Sequence, residues 1–410
     1  MFAEAWAYHP ANYRQKEVHT ILATLRAGEC ISLIGLSGMG KSNLLGFLVY
    51  RAAHFDPQAP KCVLIDCNRL SDLTAETFFR LSRHSLLVQT EDSEVDLGSE
   101  SADPLEGFQR ALADALNEQP RPLALIIDSF DPLAASMDRP FFNNLRAIRD
   151  AQKFKLTYLV ATRRPLSALA RFEDLREFAD LFIANQIWLP PLSIPDARWS
   201  INRFAERHNR HFKPGEVEEL LLLSGGHPGL LRSLASGWTE DVPDDPTSWL
   251  EDPAVQRECT LLWEDLTEET QTALRIESFT NETLRRTGLT FEGRIFSPVF
   301  AAYIDTLAGE GLRMEATGEV YREGIRLPVN LTAKEHALLT YLLEHAGAVC
   351  EKDALIRAVW PEDRVYERGV RDDSLAQLVR RLRVKIEPNP PSPTYLLTVP
   401  GRGYRLIQSP

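Results

Sequence analysis

The stretch GLSGMGKS, at Gly35–Ser42, has the residue types and spacing needed to hold a chain of phosphates. It fits the pattern G-x-x-x-x-G-K-[ST] without a mismatch. Glycines let backbone N–H groups converge on phosphate oxygens, the Lys41 ammonium can reach the β- and γ-phosphates, and the Ser42 hydroxyl can ligate Mg²⁺. We therefore expect ATP or ADP to bind here with Mg²⁺. The candidate cofactor-binding residues in this stretch are Gly35, Gly38, Met39, Gly40, Lys41, Ser42 and Asn43.

Candidate partners of this loop follow two later apolar runs. Asp128 ends the apolar part of PLALIIDSFDP, where a carboxylate beside a phosphate-binding loop would hold the Mg²⁺ water shell. Ser42 and Asp128 are therefore the candidate metal ligands. The run KLTYLVATRRP leads to Thr162, Arg163 and Arg164, where a polar or basic side chain would contact the γ-phosphate.

These side chains need a sheet whose strands end at a common edge. Apolar runs alternate with helical stretches through the first half of the chain; the runs are CISLI, KCVLIDC, PLALIIDSFDP, KLTYLVATRRP and LFIANQIWLPPLS. Such alternation predicts a multi-domain α/β protein whose parallel sheet is covered by helices on both faces. In that fold Gly35–Ser42 joins a strand to a helix, and the N-terminal dipole of the helix faces the phosphates.

From Gly311 the pattern changes to short strands, three amphipathic helices and a hairpin that turns at PGRG. On the third helix Gln377, Arg380 and Arg381 point away from an apolar stripe. This order predicts a winged helix-turn-helix whose last helix enters the major groove of DNA, with Gln377 and the arginines meeting base edges or phosphates. Arg402 would lie at the tip of the wing. The predicted stripe consists of Leu375, Leu378, Val379, Leu382 and Ile386.

Composition limits the class of protein. The formal net charge is −12, but residues 326–410 hold 13 basic and 10 acidic residues, which leaves 33 basic and 48 acidic residues before them. A locally basic end on an acidic body is typical of a DNA-binding module on a larger regulator. The chain has no long apolar run or signal-peptide pattern, and its five cysteines form no CxxC pair. We therefore expect a cytoplasmic protein with buried free thiols and no membrane partner.

The first 300 residues or so resemble the AAA-related STAND ATPases. LALIIDSFD resembles their Walker B strand, and VATRR resembles their sensor-1 strand, which implies that Arg163 is the sensor arginine. LPPLSIPDA resembles the start of the helical lid, and SGGHPGLL its G-x-P motif, which implies that Pro228 lies near the adenine. LTEETQTALRIESF and GRIFSPVFAAYI resemble the small winged-helix domain that follows. The resemblance implies an ATPase core at 1–190, a lid at 191–257 and the small domain at 258–306.

One departure from these ATPases concerns hydrolysis. Many hydrolytic relatives carry a second acid directly after the Walker B aspartate, but this chain has Ser129 there and its next acid at Asp131. Serine is a poor general base, so either Asp131 serves or hydrolysis is slow. Slow turnover suits a switch held by the γ-phosphate. The candidate catalytic residues are Lys41, Asp128, Asp131 and Arg163.

The C-terminal part, 307–410, resembles the OmpR/PhoB-type winged-helix effector domain, which binds double-stranded DNA. LTAKEHALLTYLLEHAGAVCEKDALIRAVWP, DDSLAQLVRRLRVKIEP and YLLTVPGRGYRL carry the resemblance. It assigns Ser374, Gln377, Arg380 and Arg381 to the recognition helix and Arg402 to the wing. Two features depart from the family. An ATPase rather than a receiver domain lies before this domain, and Asp372 and Asp373 head the recognition helix, where they would repel phosphates.

Together these features predict a STAND-type regulator in which the nucleotide state controls assembly and DNA binding. We expect a homo-oligomer in the ATP state, triggered by another protein or acting with RNA polymerase. Two other interpretations stay open: a replication-initiator or DNA-remodelling ATPase of AAA type, and a STAND defence or scaffold ATPase whose winged helix binds protein. The acidic stretch Glu91–Pro104 is predicted to be a surface loop.

Overall fold

The computed structural model describes residues 6–90, 103–118, 121–239, 245–275, 282–308, 311–315, 317–360 and 368–408. The chain divides into two compact units, and each is described by itself. The first contains Met1–Leu266 and Glu282–Val299, and the second contains Thr267–Asn281 and Phe300–Pro410. No helix within the described ranges is long and apolar enough to cross a membrane.

The first unit is built on a five-stranded sheet in the order β2-β3-β4-β1-β5, with every pair parallel. Its strands are β1 (Ile31–Ile34), β2 (Lys61–Asp66), β3 (Leu123–Asp128), β4 (Leu156–Thr162) and β5 (Gln186–Trp188). In the register Asp66 lies opposite Asp128, and Ile34 lies opposite Thr162, so these strands end at a common edge. The predicted parallel α/β fold is confirmed, with one strand in each predicted run.

Helices of the first unit cover the sheet and then continue beyond it. Every residue of β3 and β4 is buried, which explains their continuous apolar sequence. The helices are α1 (Gln15–Arg26), α2 (Lys41–His54), α3 (Ala75–Thr90), α4 (Pro104–Glu118), α5 (Phe130–Ser136), α6 (Arg139–Ala151), α7 (Phe172–Ala179), α8 (Ile194–His208), α9 (Pro214–Ser224), α10 (Pro228–Gly237) and α11 (Pro253–Glu264). Helices α8 to α11 form the predicted helical region after the sheet.

The division between the units runs through the predicted small winged-helix domain. Its elements are α12 (Glu268–Arg275), α13 (Glu282–Thr287), the hairpin β6 (Thr290–Phe291) and β7 (Arg294–Ile295), and α14 (Pro298–Ala308). Helix α13 and the hairpin belong to the first unit, α12 belongs to the second, and α14 crosses the division. The domain boundaries proposed from the sequence stay predictions.

Besides α12 and most of α14, the second unit contains two three-stranded antiparallel sheets and three further helices. The elements are β8 (Leu312–Met314), β9 (Val320–Arg322), β10 (Ile325–Arg326), α15 (Ala333–Glu344), β11 (Val349–Glu351), α16 (Lys352–Val359), α17 (Arg368–Ile386), β12 (Leu396–Val399) and β13 (Gly403–Leu406). Thr332 and Glu335 form a capping box at the start of α15. The hairpin β12–β13 turns at Pro400–Arg402, as the sequence predicts. This arrangement is a winged helix-turn-helix.

Two sequence predictions fall outside the described part of the chain. The acidic stretch Glu91–Pro104 lies almost wholly outside it, and so do the side chains of Asp372 and Asp373. The backbone places these two aspartates inside α17, after its start at Arg368, and not at the head of the helix as the sequence analysis predicts. All five cysteines lie inside it, and each is a buried free thiol. That result confirms the prediction made from their spacing.

Candidate functional site

The loop between β1 and α2 has the backbone that its glycines allow. Gly38 and Gly40 adopt φ of 74° and 82°, in the left-handed region where side chains are strained. Helix α2 begins at Lys41, directly after Gly40. Backbone N–H groups at a helix start are the usual donors to a phosphate. The local geometry is therefore that of a phosphate-binding loop.

The Lys41 ammonium lies within this loop. It donates to the Gly35 carbonyl and to the Leu36 carbonyl at 3.3 Å. Burial lowers the pKa of Lys41, while the nearby carboxylates of Asp131, Asp265 and Asp128 act in the opposite direction. The ammonium is thus surrounded by acceptors and acids.

Asp128 lies beside the start of α2. Its carboxylate accepts from the Ser129 backbone N–H at 2.8 Å. The residue is 3% exposed, and burial raises the pKa of its carboxyl group. The Ser42 hydroxyl acts against this rise in the pKa of Asp128, which agrees with a position of both predicted metal ligands near the shared edge of the sheet.

Asp131 and Arg163 also meet at this edge of the sheet. The Arg163 backbone N–H donates to both Asp131 carboxylate oxygens, at 3.0 and 3.1 Å. Burial raises the pKa of Asp131, and its bond to the Arg163 N–H acts against this. The Arg163 guanidinium lies 3.3 Å from Asp265, an acid that the sequence analysis did not single out.

A cavity of about 860 Å³ opens above the loop. One end is lined by predicted residues: Gly38, Gly40, Lys41, Ser42, Asn43, Asp131, Arg163 and Pro228. The other end is lined by aromatic and imidazole rings that were not predicted: Trp6, His9, Tyr13, Trp199, Phe204 and His208. Gly35 and Met39 contribute backbone carbonyls that accept from Lys41 and Arg14, respectively. The cavity is large enough for a nucleotide-sized ligand.

The aromatic end is held to the loop by Asn43. Its side-chain amide donates to the Tyr13 hydroxyl at 3.1 Å and lies 3.4 Å from His9. The His9 ring lies 4.4 Å from the Trp199 ring between centroids. Burial lowers the pKa of His9 to about 4, so its ring is neutral at pH 7. The rings of His9, Tyr13 and Trp199 are flat and uncharged, which suits a nucleobase.

Arg14 ties the N-terminal segment to the loop. Its side chain is buried and donates to the Met39 carbonyl at 3.0 Å and to the Pro190 carbonyl at 2.9 Å. Its backbone N–H donates to Asp196 at 3.3 Å. The density of aromatic residues in WAYHPANY was the available sequence signal, but it forms no recognised spacing.

The HPG turn at the start of α10 contacts the loop directly. The Gly229 N–H donates to the Gly38 carbonyl at 3.0 Å. His227 Nδ1 accepts from the Leu230 N–H at 3.1 Å, so Nε2 carries the proton and donates to the Ser37 carbonyl at 2.9 Å. Burial lowers the pKa of His227 to about 4, which agrees with a neutral ring. Pro228, predicted near the adenine, lines the cavity beside Gly40.

The recognition-helix prediction is tested separately in the second unit. Leu375, Leu378, Val379, Leu382 and Ile386 are all buried, as the stripe predicts. Gln377, Arg380 and Arg381 are exposed, and Ser374 is half-buried. Arg402 is exposed at the hairpin turn.

Arg383, on the same helix, has a structural role instead. It donates to the Leu396 carbonyl at 2.9 Å from Nε and also reaches the Thr398 hydroxyl at 2.9 Å. Arg380 and Arg381 are thus exposed, whereas Arg383 holds the wing against the helix.

Two known families match the two parts of the chain that carry the candidate sites. Residues 12–238 match the family described as Novel STAND NTPase 1, and residues 326–406 match the family described as Transcriptional regulatory protein, C terminal. The fold and site therefore define a STAND NTPase. The chain belongs to the Novel STAND NTPase 1 family and carries a C-terminal winged-helix DNA-binding domain of OmpR/PhoB type.

Two relatives match about a fifth of the chain, and one solved structure matches all of it at low sequence identity. The sensory transduction protein RegX3 of Mycolicibacterium smegmatis is 42% identical over 79 residues, which are 19% of this chain and 33% of RegX3. The Bacillus subtilis alkaline phosphatase synthesis transcriptional regulatory protein PhoP is 40% identical over 78 residues, 19% of this chain and 31% of PhoP. The chain thus spans about a third of the length of these relatives. A Walker-type ATPase of Pyrococcus abyssi is 15% identical in sequence, and the match covers 100% of this chain and 98% of that one. The TM-score of this match is 0.44.

Proposed function

We propose that this protein is a nucleotide-controlled regulator of transcription. ATP or ADP, with Mg²⁺, binds at the loop Gly35–Ser42, and the nucleotide state controls how the C-terminal winged helix binds double-stranded DNA. The observation that carries the proposal is a left-handed glycine loop that holds the Lys41 ammonium near the buried carboxylate of Asp128, in a chain that also carries an OmpR/PhoB-type domain.

The roles of the nucleotide-site residues follow from their positions. Lys41 neutralises the β- and γ-phosphates, while Ser42 and Asp128 hold Mg²⁺. Within the described residues no cluster of three or more His, Cys, Asp or Glu side chains could hold a metal ion alone. This fits Mg²⁺, which is usually bound by one or two protein oxygens together with phosphates and water. The rings near Tyr13 and Trp199, with Pro228, would pack against the base.

Asp131 is the proposed general base, positioned by the Arg163 N–H. Its raised pKa brings it nearer to neutral pH, which favours proton acceptance. Ser129 still leaves the usual position of the catalytic acid without a carboxylate. We therefore expect turnover well below about 10 s⁻¹, a typical enzyme value, in a steady-state phosphate-release assay. Rapid hydrolysis by the protein without a partner would contradict the switch.

DNA recognition is assigned to α17 and the wing. Gln377, Arg380 and Arg381 have the donors needed for adenine and guanine edges or for phosphates, and their exposure leaves those donors accessible. Ser374 completes the recognition helix. The relatives RegX3 and PhoP, named for sensory transduction and transcriptional regulation, support a role in gene control.

The proposed link between the sites is assembly. The excess of acidic residues before residue 326 opposes DNA binding by a lone copy. A homo-oligomer in the ATP state would place several winged helices side by side on repeated half-sites and so overcome that repulsion. Another protein could trigger this step, and RNA polymerase could be the partner at the promoter.

A genomic footprint of the wild-type protein and of Lys41→Ala, made in the native host, tests this function. We expect protected promoter regions with the wild type and their loss with Lys41→Ala. Protection confined to replication origins or transposon ends would favour an initiator or remodelling ATPase. The lack of any protected site, with protein partners recovered instead, would favour a scaffold.

A further inference from the structure

A carboxylate that follows helix α11 is hydrogen-bonded to two groups of the proposed nucleotide site. Asp265 directly follows α11 and is 5% exposed. Its Oδ2 accepts from the Ser37 backbone N–H at 2.6 Å, and its Oδ1 lies 3.3 Å from the Arg163 guanidinium. A loop N–H and a cation at the end of β4 are groups that a terminal phosphate would engage.

The position of Asp265 is fixed by its backbone as well. Its N–H donates to the Leu261 carbonyl at 3.2 Å, which continues the helical turn. Its carbonyl accepts from Arg164 Nε at 2.8 Å, and the Arg164 guanidinium also reaches the Glu264 carbonyl. The carboxylate therefore cannot leave the loop unless the end of α11 shifts or its own side chain rotates away.

A second acid of α11 lies against the same loop. Glu258 precedes Asp265 by seven residues, about two helical turns, so both face one side of the helix. Its Oε2 lies 2.7 Å from the point where a Cβ on Gly38 would stand, and it pairs with Arg232 at 3.4 Å. Glu258, on α11, thus lies against Gly38, and Asp265, directly after α11, contacts Ser37.

The carboxylates of Asp265 and Glu258 disfavour binding of the γ-phosphate of ATP more than binding of the β-phosphate. ATP adds a charged γ-phosphate at the end of the chain that Lys41 neutralises. A carboxylate on the Ser37 N–H removes a donor from that group and repels it, because both are negative. ADP has no group there, so Asp265 can keep both contacts while ADP is bound.

We propose that Asp265 is a specificity-determining residue that makes the site prefer a nucleoside diphosphate to a triphosphate. The γ-phosphate must displace its carboxylate from Ser37 and Arg163, so triphosphate binding is coupled to rotation of the Asp265 side chain or to movement at the end of α11. This inference rests on the proposed function, since it assumes that the loop binds ATP and ADP.

The test measures the preference directly on the full chain. A fluorescent ADP analogue is competed off with ADP and with a non-hydrolysable ATP analogue, both with Mg²⁺. In Asp265→Asn the ratio of the ATP-analogue Kd to the ADP Kd should fall about tenfold, the effect expected from losing charged hydrogen bonds. Glu268→Gln removes an exposed acid three residues later and should leave the ratio unchanged.

Asp265→Glu separates charge from packing. It keeps the carboxylate and should keep a Kd ratio near that of the wild type. An equal change of the ratio in Asp265→Glu and Asp265→Asn would show that packing sets the preference, and it would overturn the proposal. ADP affinity in each variant reports an intact site. If Asp265→Asn keeps the wild-type ratio of the two Kd values while Lys41→Ala loses nucleotide binding, this inference is overturned and the proposed function is not. Undiminished binding by Lys41→Ala would instead refute the proposed function.

Discussion

The residues around the nucleotide cavity come from segments spread over the first unit, whereas those of the DNA-binding surface come from one helix and one turn. The cavity combines the loop with an N-terminal aromatic segment, two strand ends and the turn before α10. The proposed DNA-binding surface consists of α17 and the tip of its wing. One site therefore depends on how distant segments are held together, and the other is complete within a single domain.

Their electrostatics differ in the same way. Burial raises the pKa values of Asp128 and Asp131 and lowers that of Lys41. Gln377, Arg380 and Arg381 are exposed to solvent instead. A buried set of opposing charges responds strongly to an added phosphate, because little water screens it. We thus expect the first site to sense the nucleotide and the second to act as a constant reader whose access is controlled.

The largest expected effect comes from Lys41→Ala. Losing a charge-assisted contact should weaken ATP binding by about 1.5–3 kcal/mol in a calorimetric titration. Lys16→Ala, at an exposed position on α1, is the matched control and should bind like the wild type. Equal affinity in Lys41→Ala and the wild type would mean that the loop is not a phosphate site.

On the DNA side, Arg380→Ala or Arg381→Ala should cost about 1–3 kcal/mol if that side chain reads a base, and should relax preference at one position. Binding of the full chain to a systematic set of single-base variants of a selected duplex measures both effects. Arg285→Ala removes an exposed arginine outside the DNA-binding domain and serves as the control. A uniform loss over all duplexes would show phosphate contact instead of base recognition.

The aromatic end of the cavity should contribute less to nucleotide affinity than Lys41 does, and it should contribute equally to ATP and ADP binding. Trp199→Ala removes a ring near His9 and Tyr13, and aromatic contacts of this kind are worth about 0.5–1.5 kcal/mol. ATP and ADP should lose affinity equally, because they share the base. Phe154→Ala, at an exposed position away from the cavity, is the control. A loss confined to ATP would place Trp199 near the γ-phosphate and contradict its proposed role.

The smallest expected effect belongs to Arg402→Ala at the wing. If Arg402 meets only phosphate, binding should weaken alike on all sequences, and the salt dependence of log K should drop by about one unit. Titrations at several salt concentrations give this slope. An unchanged slope together with altered sequence preference would place Arg402 in the minor groove as a base reader.

Local patterns in the sequence were enough to predict most of the fold. The strand runs, the glycine loop and the apolar stripe of α17 each depend on neighbours a few residues away, and each was confirmed. The position of Asp128 near Lys41 was expected from the shared edge of a parallel sheet, whereas Asp131 was singled out only as the next acid after Ser129.

The contacts that sequence reasoning missed join residues far apart in the chain. Asp265 meets Ser37 across 228 positions, and His227 meets it across 190. Neither residue stands in a motif that specifies such a contact, because the pairing depends on how α10 and α11 pack onto the loop. Arg14 and Tyr13 were missed for the same reason: an aromatic N-terminal segment has no periodicity that assigns it to a cavity.

The central claim is that the nucleotide state controls DNA binding, and fluorescence anisotropy tests it most directly. The full chain is titrated into labelled duplexes with one or two copies of a half-site selected from a random pool, with ATP and Mg²⁺, with ADP and Mg²⁺, and without nucleotide. The account predicts the tightest binding with ATP, a larger gain on two half-sites than on one, and no gain for Lys41→Ala. Identical isotherms in all three conditions would contradict it and leave a DNA anchor that the nucleotide does not control.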